Sequence, residues 1–322
     1  MQVSLQQAIT QLKNGNVVAI PTETVYGLAA DASNDAALQQ IYAIKQRPAD
    51  NPLIVHIADA SQVQNWASAF SPLAQKLAAA FWPGPFTIVL PAKSTVSQIV
   101  RGGQPTVALR VPAHPLALEL LQKSGLGLAA PSANKFTQLS PTTAAHVASG
   151  LGNAVAVLDG GACKVGIEST IVSVINDDWQ LLRLGMITET EIEKIAGKTA
   201  IKAVKTKPKD FIKVPGQHLL HYSPKTPIQL FKDIENLQHF AAKNANCVAL
   251  IFAEKNLVEN KQNLREVVTL PLKATIVAEQ LYNALHTLDA LQAAWILALS
   301  PPQQMDWLAI NDRLTRAAHR QL

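Results

Sequence analysis

Val17-Val18-Ala19-Ile20-Pro21-Thr22-Glu23-Thr24-Val25-Tyr26-Gly27-Leu28 is the stretch that decides the fold. An apolar, β-branched run breaks on Pro21 and then presents Thr22, Glu23, Thr24 and Tyr26. It reads as a buried strand delivering hydrogen-bonding side chains to a cleft. The competing reading is a strand end whose threonines satisfy local backbone groups. Upstream, Ser4 ahead of Leu5, Ala8, Ile9 and Leu12, with Gly15 behind them, reads as a capped helix feeding that strand. Downstream, helix and strand alternate. Helices are expected at residues 36–44, 73–81, 116–123 and 142–149, and strands at 53–57, 86–90, 106–111, 126–130, 154–159 and 169–175. This pattern predicts an α/β domain with a twisted, mixed sheet.

From Lys198 to Lys213 the composition changes. Lys198, Lys202, Lys205, Lys207, Lys209 and Lys213 dominate around Pro208, and large apolar residues are few, as in an exposed linker. Beyond it, residues 228–231, 248–252 and 267–270 read as strands, each followed by a helical pattern, which predicts a small Rossmann-like βαβ domain. The expected division is a first domain at 1–200, a linker or lid at 201–226 and a second domain at 227–322.

The chain has 322 residues, of which 48% are hydrophobic and 16% charged, enough for a large core. No apolar run approaches the roughly 20 residues needed to cross a bilayer, and Met1 to Gln6 lacks a basic stretch leading into an apolar one, so a cytoplasmic location is expected. Cys163 and Cys247 have no neighbouring cysteine and read as buried thiols, not as a disulfide framework or zinc site. A net charge of +5 and a pI near 9.1 suit phosphate-bearing ligands or RNA, and suit simple solubility equally.

Several familiar motifs fail. Gly161 to Gly166 has the glycine spacing of a phosphate loop but continues Ile167-Glu168 where Lys and Ser/Thr are required. Gly125-Leu126-Gly127 runs into a strand and Pro131 instead of opening a helix. Ser132 to Lys135 matches the S-x-x-K of serine acylases without a K-T-G partner. His218 and His221 lack companions in metal-ligand register, so no metal ligand is assigned.

Other polar clusters are hard to explain as packing. Lys45-Gln46-Arg47-Pro48, with Asn51-Pro52-Leu53-Ile54-Val55-His56, gathers two cations, an amide and an imidazole around one loop and strand. Arg110 stands inside the apolar strand Val107 to Val111, where an unpaired guanidinium is costly. It must meet a carboxylate of the protein or of a ligand, and the ligand is favoured. Pro131 to Asn134 and Ser140 to Thr143 offer hydroxyl and backbone donors suited to phosphate oxygens, and the second cluster also suits a helix N-cap. Glu168-Ser169-Thr170 places further polar groups at a strand start.

Together, residues 21–28, 45–56, Phe81-Trp82-Pro83-Gly84-Pro85, 107–112, 131–134, 140–143 and 166–172 resemble the YrdC/Sua5 family, the L-threonylcarbamoyladenylate synthases. Val214-Pro215-Gly216 through His221-Tyr222-Ser223-Pro224 resembles the segment between its two domains, and Ile310 to Ala318 the end of its C-terminal domain. The long, two-domain type is indicated. The resemblance implies a nucleotidyltransferase that makes threonylcarbamoyl-AMP and pyrophosphate from L-threonine, bicarbonate or CO₂, and ATP. Mg²⁺ would be carried with the ATP, and the product passed to a tRNA threonylcarbamoyl-transferase complex for modification of adenosine 37, with tRNA contact and no membrane role. By similarity, Lys45 and Arg47 would be catalytic. Arg47, Asn51, Thr106, Ser132, Ser140, Arg183 and Tyr222 would contact ATP, and Thr24, His56, Arg110, Ala130 and Ser169 the threonine. Residues 214–224 would act as a lid with Tyr222 near the nucleotide. Thr137, Gln217 and Leu184 depart from the family's usual Gly, Met and Pro, which bears on local loop shape. A non-catalytic RNA-binding module is the rival reading, but it gives no reason for Arg110 in an apolar strand. A carbamoyltransferase of the hydrogenase-maturation type would need zinc-binding cysteine pairs that Cys163 and Cys247 cannot supply.

Overall fold

The computed structural model describes residues 1–152, 154–201, 212–216, 221–254 and 263–318. The chain forms two compact units. The first comprises Met1–Phe136, Pro141–Lys164 and Glu168–Gln217, and the second Thr137–Ser140, Val165–Ile167 and His218–Leu322. Of the expected linker at 201–226, residues 202–211 and 217–220 lie outside the described residues. Residues 212–216 belong to the first unit, where Val214 is buried with Ile54, Val89, Ala108 and Ile171.

The first unit runs α1 (Leu5–Lys13), β1 (Val18–Ile20), β2 (Gly27–Asp31), α2 (Asp35–Lys45), β3 (Ile54–His56), α3 (Val63–Trp66), α4 (Pro72–Phe81), β4 (Phe86–Pro91), α5 (Gln98–Arg101) and β5 (Thr106–Arg110). It continues α6 (Pro115–Ser124), β6 (Leu128–Ala129), α7 (Ala144–Leu151), β7 (Ala156–Val157), β8 (Thr170–Ile175), β9 (Asp178–Arg183) and α8 (Glu189–Ala196). Ser4 closes a capping box with Gln7 at the start of α1, which satisfies amide groups that the first helical turn leaves open. Ala8, Ile9 and Leu12 then face the core on one stripe.

The strands form one nine-stranded mixed sheet in the order β7-β1-β2-β6-β3-β5-β4-β8-β9. Its centre is parallel between β3 and β5 and between β4 and β8, and antiparallel between β4 and β5. The expected twisted mixed sheet is therefore present. Its main core joins Leu38, Ile41, Val55, Leu77, Phe86, Ile88, Leu109 and Trp179, and each fully buried Leu or Ile contributes roughly 1.5–3 kcal/mol.

The stretch Val17 to Leu28 is a strand only from Val18 to Ile20; residues 21–26 form a loop and β2 begins at Gly27. Thr22 shapes that loop. Its hydroxyl donates to the Val25 carbonyl at 2.6 Å and accepts the amides of Thr24 and Val25 at 3.2 Å. Tyr26 fixes the far end, its hydroxyl donating to Gly161 O at 2.8 Å and accepting from the Gly160 amide at 3.1 Å. Ser140 to Thr143 includes the N-cap that was one of its two readings, since Thr143 accepts from the His146 amide at the start of α7.

The second unit contains β10 (Ile228–Phe231), α9 (Ile234–Lys243), β11 (Cys247–Phe252), β12 (Leu264–Leu270), α10 (Ala274–Ala290), β13 (Trp295–Leu299) and α11 (Leu308–Ala318). Its four strands are parallel in the order β10-β13-β11-β12, the Rossmann-like arrangement expected. All six residues of β11 are buried, as a central parallel strand requires.

Candidate active site

Three polar groups lie in the first unit, two at strand ends of the sheet and one at the end of α2. The first is centred on Arg110, the last residue of β5 and 4% exposed. Its Nε donates to Gly84 O at 3.1 Å, Nη1 to Thr24 Oγ1 at 2.9 Å and Nη2 to Glu23 Oε1 at 2.6 Å. Glu23 Oε2 accepts the Ala113 amide at 3.0 Å, so the carboxylate is pinned from both sides. The carboxylate that the buried guanidinium needs is thus a protein group. A guanidinium carries five N–H groups, so one on each terminal nitrogen remains for a ligand among the described residues. His56 pairs with Arg110 across β3 and β5 and is 3% exposed. Burial, and then the neighbouring Arg110, push its pKa down to about 3, so the ring is neutral. Its Nδ1 has no hydrogen-bond partner among the described residues. Ala130 lies at the edge of this group, its amide donating to Ile54 O at 3.1 Å.

A second group surrounds the end of α2. Lys45 is 1% exposed and its Nζ donates to Ser132 O at 2.5 Å and Asn134 O at 2.6 Å. Burial, then Arg47, push the Lys45 pKa down, against an opposing pull from Glu168. Arg47 follows the left-handed Gln46. Its Nη2 donates to Pro52 O at 3.1 Å, and the guanidinium lies 5.9 Å from the centroid of the Phe136 ring. Asn51 shares this loop, its carbonyl accepting from Tyr42 Oη at 2.9 Å. Ser132 bridges to Gly27, which ties the group to the start of β2.

The third group lies at the start of β8. Ser169 Oγ is 2.7 Å from Thr87 Oγ1 and accepts from Arg183 Nη2 at 3.1 Å. Arg183 also donates through Nε to Ser169 O and through Nη1 to Pro215 O, both at 3.0 Å. The first and third groups share the loop before β4, where Gly84 O takes Arg110 and Pro85 O takes the Thr170 amide. Thr106 opens β5 opposite Pro91 and is 7% exposed.

Thr24, Lys45, Arg47, Asn51, His56, Thr106, Arg110, Ala130, Ser132, Ser169 and Arg183 therefore all belong to the first unit, and Ser140 and Tyr222 to the second. Ser140 O accepts from the His286 ring at 3.1 Å, and Tyr222 packs 5.9 Å from Tyr282 with Arg313 5.1 Å over its ring. Gln217 and His218 lie outside the described residues. Glu23 and Asn134 stand in stretches that the sequence marks as polar clusters, though neither carries an expected role there, whereas Thr87 sits unmarked in a strand. Among the described residues no three His, Cys, Asp or Glu side chains gather as a metal cage, and no helix is long and apolar enough to cross a membrane.

Residues 10–185 match a family profile shared by Sua5, YciO and YrdC proteins and described as telomere recombination, and residues 187–319 match one described as the threonylcarbamoyl-AMP synthase C-terminal domain. The chain belongs to the Sua5/YciO/YrdC family. It is 39% identical over 320 residues to the threonylcarbamoyl-AMP synthase of Bacillus subtilis (strain 168), covering 98% of this chain and 92% of the relative. Identity to the enzyme of the same name from Pyrococcus abyssi (strain GE5 / Orsay) is 37%, covering 95% and 92%. The crystal structure of P. abyssi Sua5 complexed with L-threonine superposes with a TM-score of 0.85 at 33% identity, covering 99% of this chain and 97% of that one. Both domains of the long Sua5 form are thus represented here.

Proposed function

We propose that this member of the Sua5/YciO/YrdC family is a threonylcarbamoyl-AMP synthase, forming L-threonylcarbamoyladenylate and pyrophosphate from L-threonine, bicarbonate or CO₂, and ATP. The observation that carries this reading is Arg110, a buried cation with one N–H on each terminal nitrogen left open by the described residues. A guanidinium so placed suits the α-carboxylate of an amino acid, with Thr24, the neutral His56, Ala130 and Ser169 around it.

The neutral amino group adds to the carbon of CO₂ and loses a proton, or to that of bicarbonate with loss of water, and the new carbamate oxygen attacks the α-phosphorus as the P–O bond to the leaving pyrophosphate breaks. That step needs reactants held in line and positive charge where the phosphates gather electrons. Arg47, Asn51, Thr106, Ser132 and Arg183 are the groups of the first unit proposed to meet the nucleotide. Lys45 stands beside Arg47. Mg²⁺ bound with ATP would offset phosphate charge, and the phosphates themselves suit it as ligands, since such ions commonly bind through one or two carboxylates and substrate phosphates. The adenylate would pass to a tRNA threonylcarbamoyl-transferase complex. Threonine-dependent release of pyrophosphate from ATP, with bicarbonate and Mg²⁺ present, tests the reading.

A further inference from the structure

Lys45 ends α2, yet its side chain and its carbonyl both bond to one distant loop. Its ammonium donates to the carbonyls of Ser132 and Asn134, at 2.5 and 2.6 Å, and its own carbonyl accepts the Phe136 amide at 2.7 Å. One residue therefore grips Ser132, Asn134 and Phe136. The side chain is 1% exposed, so those carbonyl oxygens replace the water that an ammonium otherwise keeps. Left without it, both oxygens would lose a charge-assisted partner. Other bonds also meet this loop: Gly27 bridges to Ser132, and Asn134 N donates to Ser132 O at 3.0 Å. Ala133 N reaches Tyr26 O at 2.8 Å, and the Asn134 side-chain amide turns back to Lys135 O at 2.8 Å. Arg47, two residues beyond Lys45, lies against Phe136 at the far end of the same loop.

We infer that Lys45 is a positioning residue for the nucleotide: it sets the shape of the Ser132–Phe136 loop, and so the place of Ser132, without itself bonding the phosphates. This rests on the reading of ATP as substrate. A lysine that binds phosphate acts through its charge and owes little to the loop. One that staples carbonyls acts through N–H donors, and a neutral donor can replace part of it.

The test uses the full-length chain, with calorimetric titration of a non-hydrolysable ATP analogue and, separately, of threonine. Lys45→Met removes every donor at similar length and should weaken analogue binding by about tenfold or more, with threonine affinity little changed. Lys45→Gln, which restores a neutral N–H donor, should recover most of that loss. Ser132→Ala should cost much less in the Lys45→Met background than in the wild type, because the two act as one unit. Lys45→Gln as weak as Lys45→Met, with the Ser132 effect additive, would overturn the inference. Absence of analogue binding by the wild type would instead sink the ATP reading itself. Thermal unfolding and circular dichroism of each variant separate loss of the loop from loss of the fold.

Discussion

Arg110 Nη2 lies 2.6 Å from Glu23 Oε1, and both side chains are buried, at 4% and 8% exposure. The pair joins residues 87 apart in sequence, the 21–26 loop and the end of β5. A buried ion pair gains little over a well-packed apolar pair, but removal of one member strands the other charge at a cost of about 3–5 kcal/mol.

Arg110→Ala should accordingly lower stability and weaken threonine binding far more than ATP binding, the lost substrate contact amounting to about 2–5 kcal/mol. Stability and binding can be separated with the double variant Arg110→Met/Glu23→Leu. It should regain most of the melting temperature, since no charge is stranded, and still fail to bind threonine in calorimetry. Threonine binding that returns with stability would remove Arg110 from the amino-acid site.

His56 gives the fold a pH signature. Its folded pKa, about 3, is depressed below the unfolded 6.5, so between these values the unfolded chain takes up a proton that the folded chain refuses. Stability from the neutral ring is complete above pH 6.5 and is lost as pH falls toward 3, at up to about 1.4 kcal/mol per pH unit. Urea unfolding from pH 7 to pH 4 should show a shallower decline for His56→Gln than for the wild type. Equal slopes would mean that this histidine is not held neutral.

Two backbone positions in the second unit should respond in opposite directions. Thr137 has φ +69°, a left-handed conformation costing a non-glycine residue about 1–2 kcal/mol, so Thr137→Gly should raise the melting temperature or leave it level despite glycine's greater unfolded freedom. Gly166 has φ +79°, and a Cβ there would stand 2.3 Å from Ala278 O and 2.5 Å from Glu279 Cα, both in α10. Gly166→Ala should destabilise by more than about 1 kcal/mol, since helix backbone must shift. Differential scanning calorimetry of both variants checks the pair, and a melting point raised by Gly166→Ala would contradict the seating of α10.

Local chemistry made much of this fold legible. The Ser4 cap and the stripe Ala8, Ile9, Leu12 mark α1, and the β-branched runs mark β5, β8 and β11. β2 escaped notice because Gly27-Leu28-Ala29-Ala30 has weak strand preference and is held by its neighbours β1 and β6. The hairpin from β8 to β9 turns on Asn176 and Asp177, both at positive φ, residue types that favour such a turn. α8 had one too, in the capping box of Thr188 with Glu191. The site was legible as residue types, with cations, hydroxyls and an arginine out of place in a strand. That Glu23 answers Arg110, and that Lys45 holds the carbonyls of Ser132 and Asn134, depends on pairings 87 to 89 residues apart that no local pattern encodes.

The purified full-length chain, incubated with ATP, Mg²⁺ and bicarbonate, should release pyrophosphate only when L-threonine is added. Mass spectrometry of the quenched mixture should then show threonylcarbamoyl-AMP, labelled when the bicarbonate carries ¹³C. Pyrophosphate release indifferent to threonine, or none at all from a protein that binds both ligands, would contradict the account.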